Sequence, residues 1–184
     1  SRRAAADGSG GDIEGWLSSL GLRLQASPLN DLSLPRAAQL LNKTNQFNLA
    51  LRRMEEPAFA EWAHRPGNAV YVFEVADRFG DFGLAALASL TREGEGARVA
   101  DFVMSCRVMG KGVEEAILAH LLDCAHELCP GPVLAPATQG PRNEPVLQFF
   151  QSKYMDGGPL LDPGRIARPK FIKLEIGAPA VPAL

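Results

Sequence analysis

The chain has 184 residues, 46% of them hydrophobic and 22% charged, with a formal net charge of −2. That is the composition of a soluble globular domain large enough to bury a core, and its scattered basic residues exclude the clustered footprint of a nucleic-acid binder. No apolar run approaches the roughly 20 residues of a bilayer span and no signal peptide is visible, while Cys106, Cys124 and Cys129 favour neither a disulfide framework nor a zinc site, so a metal-free protein of the reducing cytoplasm is expected.

The opening "SRRAAADGSGG" (1–11) is small, polar and glycine-rich, as a flexible linker or expression remnant would be, and "GAPAVPAL" (177–184) is a Pro/Ala tail. One domain is expected over 12–176, a module of a longer chain. Asp12 to Leu20 predicts a short helix, and "LRLQA" (22–26) alternates as a strand. Ser33 predicts a helix cap with Pro35 in the first turn, and Leu34, Ala37, Ala38 and Leu41 follow at helical spacing. Amides then replace core residues in "NKTNQFN" (42–48), and a second helix is expected over Glu56 to His64.

Three strands come next. "AVYVFEVADRF" (69–79), "GLAALASLT" (83–91) and "ARVADFVMSCRV" (97–108) are rich in β-branched and aromatic residues, with "GDFG" and "REGEG" as turns. Short turns between consecutive strands predict an antiparallel meander. The stretch after Gly112 places Val113, Ala116, Ile117, Leu121, Cys124, Ala125 and Leu128 on one helical face. A strand over 132–138, a helix over 143–154 and a strand over 170–176 complete the order. The fold class expected is α/β (α+β), a mixed sheet with a central antiparallel meander and helices packed on it.

Chemistry concentrates where the third strand hands over to the long helix. There Arg107, Gly110 and Gly112 stand as R-x-x-G-x-G. Glycines at a helix start permit either a plain turn or the close approach of an anion to bare amides, where the helix dipole is positive. With the strand order, this segment resembles the GNAT acyltransferases, in which it wraps the diphosphate of coenzyme A or the phosphate of a phosphopantetheine arm. The resemblance implies cofactor contacts from Arg107, Met109, Gly110, Lys111, Gly112 and Val113, with Asn143 ahead of the Phe149–Phe150 pair. A valine at Gly112 would then block the ligand and spare the fold. Glu114 and Glu115 in the first turn oppose an anion if they face it.

"PRAAQLLNKTNQFNLALRR" (35–53), "FEVADRFGDFGLAALA" (73–88) and "SCRVMGKGVEEAIL" (105–118) resemble, more narrowly, the C-terminal half of FkbH-type proteins of polyketide biosynthesis. Those load a glyceryl unit onto an acyl carrier protein through an N-terminal HAD-like half. The Asp-x-Asp signature of that half is missing from this chain. A carrier-protein partner and a separate HAD-like domain are therefore expected, with a phosphopantetheine thioester or coenzyme A as ligand.

Asn45, Gln46 and Asn48 are poor helix-interior residues and good hydrogen-bonders, fit either to grip a pantetheine arm or to finish a helix. Asp81 is either a turn residue or a contact for a substrate hydroxyl. For catalysis the candidates are Asp101, which the GNAT resemblance makes a base on the meander strand and which is otherwise one polar position of an alternating strand, and Cys106 as a nucleophile or a buried thiol. By resemblance, Tyr154 is the acid for a leaving thiolate. Three functions stay open: an acyltransferase-like module, a non-catalytic carrier-protein platform, and an ordinary coenzyme A-dependent N-acetyltransferase.

Overall fold

A computed structural model describes residues 7–177. Helix α1 (Asp7–Ser19) begins inside the stretch read as linker, so residues 7–11 are helical; residues 1–6 and 178–184 lie outside the described part. Then come β1 (Arg23–Pro28), α2 (Leu34–Lys43), α3 (Glu56–His64), β2 (Asn68–Asp77), β3 (Gly80–Glu93) and β4 (Gly96–Met104). The chain continues through α4 (Val113–Leu128), β5 (Val133–Leu134), α5 (Glu144–Gln151) and β6 (Lys173–Ile176).

These strands form one mixed sheet in the order β5-β4-β3-β2-β1-β6. β1 to β4 pair antiparallel, while β5 joins β4 and β6 joins β1 in parallel. The meander and the fold class read from the sequence are both present.

Alternation along the strands divides the core into two layers. Val70, Val72, Leu87 and Val103 face Leu40 and Leu41 of α2 and Phe59 of α3. Phe73, Ala86, Ala88, Phe102 and Met104 face the other way, toward α4 and Val146 and Phe150 of α5. β4 is buried on both sides, which explains its near-continuous apolar run.

Local chemistry departs from expectation at two points. Ser33 does not cap α2, because its hydroxyl accepts from the Asn30 amide (3.0 Å) and donates to the Asn30 carbonyl (3.2 Å). The β2–β3 turn is Arg78–Phe79 rather than "GDFG", since Asp77 Oδ1 accepts from the amides of Phe79 (2.8 Å) and Gly80 (3.1 Å), and β3 already starts at Gly80.

The start of β4 meets the loop before β5 at a backbone-to-backbone contact. A Cβ on Gly96 would lie 2.0 Å from the Pro132 carbonyl oxygen, and one on Gly131 would lie 1.9 Å from that of Glu95. Only glycine fits either place. From there β4 and β5 pair over two positions, Ala97 with Val133 and Arg98 with Leu134, and then part. The strand expected over 132–138 is thus much shorter, because the two chains diverge and Pro136 has no amide to donate.

Candidate functional site

The space opened by the parting of β4 and β5 is filled by the chain itself. Helix α2 stops at Lys43, and Arg53 closes its end: Nη1 donates to the carbonyls of Leu41 and Thr44 (3.0 Å), and Nη2 to Asn45 Oδ1 (2.7 Å). A guanidinium on the last carbonyls of a helix suits its negative dipole end. The chain then runs antiparallel beside β4. The Met104 amide donates to the Phe47 carbonyl (2.9 Å), and the Leu49 amide to the Phe102 carbonyl (3.0 Å). On the far side Thr138 N–H donates to the Leu49 carbonyl (2.9 Å). The Phe47 ring lies 6.0 Å from that of Phe102 and 5.7 Å from that of Phe149.

Two expected ligand contacts belong to this wedge instead. Asn48 is fully buried; its Nδ2 donates to the Thr44 carbonyl (3.1 Å) and its Oδ1 accepts from the Leu51 amide (2.9 Å). That bond holds Leu51 in the left-handed region (φ 52), where a non-glycine residue stays only if its surroundings dictate it. Asn143, also fully buried, donates through Nδ2 to the carbonyls of Thr138 (2.7 Å) and Asn48 (3.1 Å) and accepts from the Gly140 amide (2.8 Å). Neither amide is left for a substrate or cofactor.

Asn45 and Gln46 do reach open space, and they reach it beside Cys106. A cavity of about 390 Å³ between α2 and the end of β4 is lined by both amides, by the exposed Cys106 and by Arg36, Lys43 and Arg142. No carboxylate lines it. Arg36 donates to Gln39 Oε1 (2.5 Å), whereas Lys43 and Arg142 have no hydrogen-bond or ion-pair partner among the described residues. An adjoining cavity of about 370 Å³ shares Asn45 and Arg142 and adds Arg53. In a chain of net charge −2, cations gathered here without counter-charges make a local positive potential.

The R-x-x-G-x-G segment is arranged differently. Gly110 (φ 76) and Gly112 (φ 82) are both left-handed, and a short 3₁₀ turn over Cys106–Val108 precedes them. The Gly110 amide donates to Glu114 Oε1 (3.1 Å), so a carboxylate of α4 takes one of the amides offered to an anion. Lys111 sits 3.8 Å from Asp77 and over the Phe82 ring, and Arg107 donates weakly to the Phe82 carbonyl (3.5 Å). Met109 is half-buried against the core and Val113 is fully buried. A Cβ on Gly112 would stand 2.8 Å from the Phe171 ring, so Gly112→Val disturbs packing and backbone together and does not spare the fold as expected.

Burial raises the Glu114 carboxyl above the usual glutamate range, against the pull of its own amide and that of Gly110, and its Oε2 is buried without a partner. A carboxyl raised on folding binds more protons folded than unfolded, so its contribution to stability falls as pH rises through and above that range. Glu114→Gln removes this loss. Its melting temperature relative to the parent should climb from acid to neutral pH. A difference that does not change with pH would remove the buried charge from the account.

The remaining candidates are scattered. Asp101 is fully buried and accepts from Arg52 Nε (3.0 Å), Arg52 Nη2 (2.6 Å) and Ser89 Oγ (2.6 Å), so both of its oxygens are engaged within the protein. Tyr154 donates to the Ala135 carbonyl, and burial pushes its hydroxyl up to about 12. It lines a separate cavity with Leu147, Gln151 and Arg165. Asp81 accepts from the Gly83 amide (2.7 Å) near the start of β3 and lines a different cavity with Arg23 and Glu74. Of the expected catalytic and substrate-binding residues, Asn45, Gln46 and Cys106 line one cavity. Sequence reading missed Arg36, Lys43, Arg53 and Arg142; the first three lie inside the 35–53 stretch that carries the narrower resemblance, and nothing local marks Arg142.

Among the described residues no three His, Cys, Asp or Glu side chains gather as a metal site would need, and no helix is long and apolar enough to cross a membrane. No family model matches the chain, and no curated protein matches it. Solved structures do. The ribosomal-protein-S18-alanine N-acetyltransferase of Escherichia coli matches with a TM-score of 0.51 at 16% identity, over 74% of this chain and 88% of that one. A protein provisionally assigned as a phosphinothricin N-acetyltransferase matches at 0.52 and 20% identity, over 74% of this chain and 93% of its own. An acetyltransferase of Trypanosoma brucei matches at 0.50 and 17%, over 70% and 89%. The chain has the GNAT acetyltransferase fold.

Proposed function

We propose that this GNAT-fold chain is an acyltransferase-like module that handles acyl groups carried on phosphopantetheine, of an acyl carrier protein or of coenzyme A, in polyketide assembly. The observation that carries the reading is the cavity in which Asn45, Gln46 and the exposed Cys106 lie among Arg36, Lys43 and Arg142 without a carboxylate. A phosphate ester on an amide-bearing arm ending in a thioester matches that lining: cations for the phosphate, side-chain amides for the arm, a thiol near its end. An amine acceptor of an ordinary N-acetyltransferase would meet cations instead.

A second reading, a platform that binds the carrier protein beside a HAD-like domain without transferring anything, is favoured by one observation. The carboxylate best placed to be a base, Asp101, is already bonded three times. Intact-mass analysis of an acyl-loaded carrier protein incubated with this chain separates the two. Transfer by exchange would form a thioester on Cys106 Sγ, pass the thiol proton to the departing pantetheine thiolate, and add the acyl mass to this chain. Acyl mass on the parent but not on Cys106→Ser supports the module, and complex formation with the carrier's acyl group untouched supports the platform. Absence of both transfer and complex would sink the two together.

A further inference from the structure

Three places near the end of β4 can be asked to receive a phosphopantetheine arm, and they differ in what already occupies them. The first is the gap between β4 and β5. Pantetheine carries two amides, and a strand edge left free by diverging neighbours offers them partners. Here that edge is taken: the Phe102 carbonyl accepts from Leu49 and the Met104 amide donates to Phe47. The Phe47 ring fills the space beside Phe102 and Phe149, and Asn143 ties the wedge to Thr138. Admitting a ligand would orphan buried backbone groups on both sides, each costly to leave unpaired.

The second place is the glycine loop at the start of α4. Its Gly110 amide already donates to the Glu114 carboxylate, Lys111 is drawn toward Asp77, and the Phe171 ring stands against Gly112. An arriving phosphate would meet a fixed negative charge at the amides it needs. The loop does not fit a phosphate as it stands.

The third place is the cavity beside α2, and it has the opposite character. Arg53 holds Asn45 by its Oδ1, which leaves the amide's Nδ2 as the free donor. Lys43 and Arg142 carry unbalanced charges on the same wall as Cys106. Resting on the reading of a phosphopantetheine-linked substrate, we infer that Arg36, Lys43 and Arg142 hold its phosphate. The arm then lies over residues 44–46 toward Cys106, outside the sheet rather than between β4 and β5.

The test is calorimetric titration of the parent chain with 4′-phosphopantetheine and with pantetheine, which differ only by the phosphate. The parent should prefer the phosphorylated compound by roughly tenfold or more, the scale of a charge-assisted contact. Arg142→Ala and Lys43→Ala should each erase most of that preference and leave pantetheine binding unchanged, while Arg168→Ala, a charge-matched control paired with Asp123, should change neither. Preference retained in both cavity variants, or lost in Arg107→Ala instead, would overturn the inference and leave the broader function standing. Inorganic phosphate binding as tightly as 4′-phosphopantetheine would remove the arm from the cavity and overturn it too. A parent that binds neither pantetheine compound would bring down the function reading with it.

Discussion

Gly96→Ala should destabilise the protein by about 3 kcal/mol or more, the upper range for forcing atoms into a filled space. The added methyl would stand 2.0 Å from the Pro132 carbonyl oxygen, 3.0 Å from its carbon and 3.1 Å from the proline ring. None of these is the end of a flexible side chain, so relief requires moving a strand. The same oxygen accepts from the Ala97 amide (3.0 Å), the first bond between β4 and the β5 segment. Thermal unfolding should register a fall of roughly 6–12 °C for a chain of this size. Gly80→Ala, where a Cβ meets nothing within 4 Å and no left-handed φ is required, is the control and should be nearly silent. A Gly96→Ala protein as stable as the parent would mean that the β4–β5 junction is looser than its geometry states.

Asp101→Ala should cost about 3 kcal/mol, the low end for breaking a buried ion pair, because the Arg52 side chain keeps 30% exposure and can turn to water. What is lost is an anchor. Asp101 on β4 holds Arg52, whose guanidinium also stacks 4.3 Å over the Trp62 ring, so one carboxylate ties the segment after the wedge to both β4 and α3. Ser89 Oγ would lose its acceptor as well. Asp101→Asn keeps the shape without the charge, and its melting temperature should fall in parallel with any loss of function. Full stability together with abolished acyl transfer in that variant would return Asp101 to the role of a base.

The layers of this fold are legible in the sequence because their patterns are strong. β2, β3 and β4 are long runs of strand-forming residues with short turns between them, and α4 shows a continuous apolar face. β5 is the instructive failure. "PVLAPAT" has strand composition, yet pairing with β4 ends at Leu134, and the amides beyond it turn to residues remote in sequence, Ala135 to the Pro159 carbonyl and Thr138 to that of Leu49. The site was half legible for a related reason. "NKTNQFN" announces polarity out of place, and polarity alone does not say which amides turn inward. Asn48 closes the wedge, Asn45 and Gln46 face the cavity, and the difference is fixed by β4 and Asn143, which local sequence does not contain. The cations around Cys106 come from α2 and from the loop before α5, so no spacing reveals them as a group.

The wedge also bears on the order in which the molecule assembles. Phe47, Asn48 and Leu49 are made early, but their partners Phe102, Met104, Thr138 and Asn143 arrive much later; Asn48 and Asn143 are 95 positions apart. Closing a loop of that length carries an entropic cost that local helices and the meander hairpins avoid. Synthesis runs from the N-terminus, so the segment waits without its strand until the meander has paired, and without its lock until the residues before α5 have emerged. During that interval one edge of β4 is bare, with Phe102 and Met104 beside it, an unpaired apolar strand of the kind that joins other chains. Folding yield should therefore depend more on how quickly residues 138–143 are delivered than on the stability of the finished sheet.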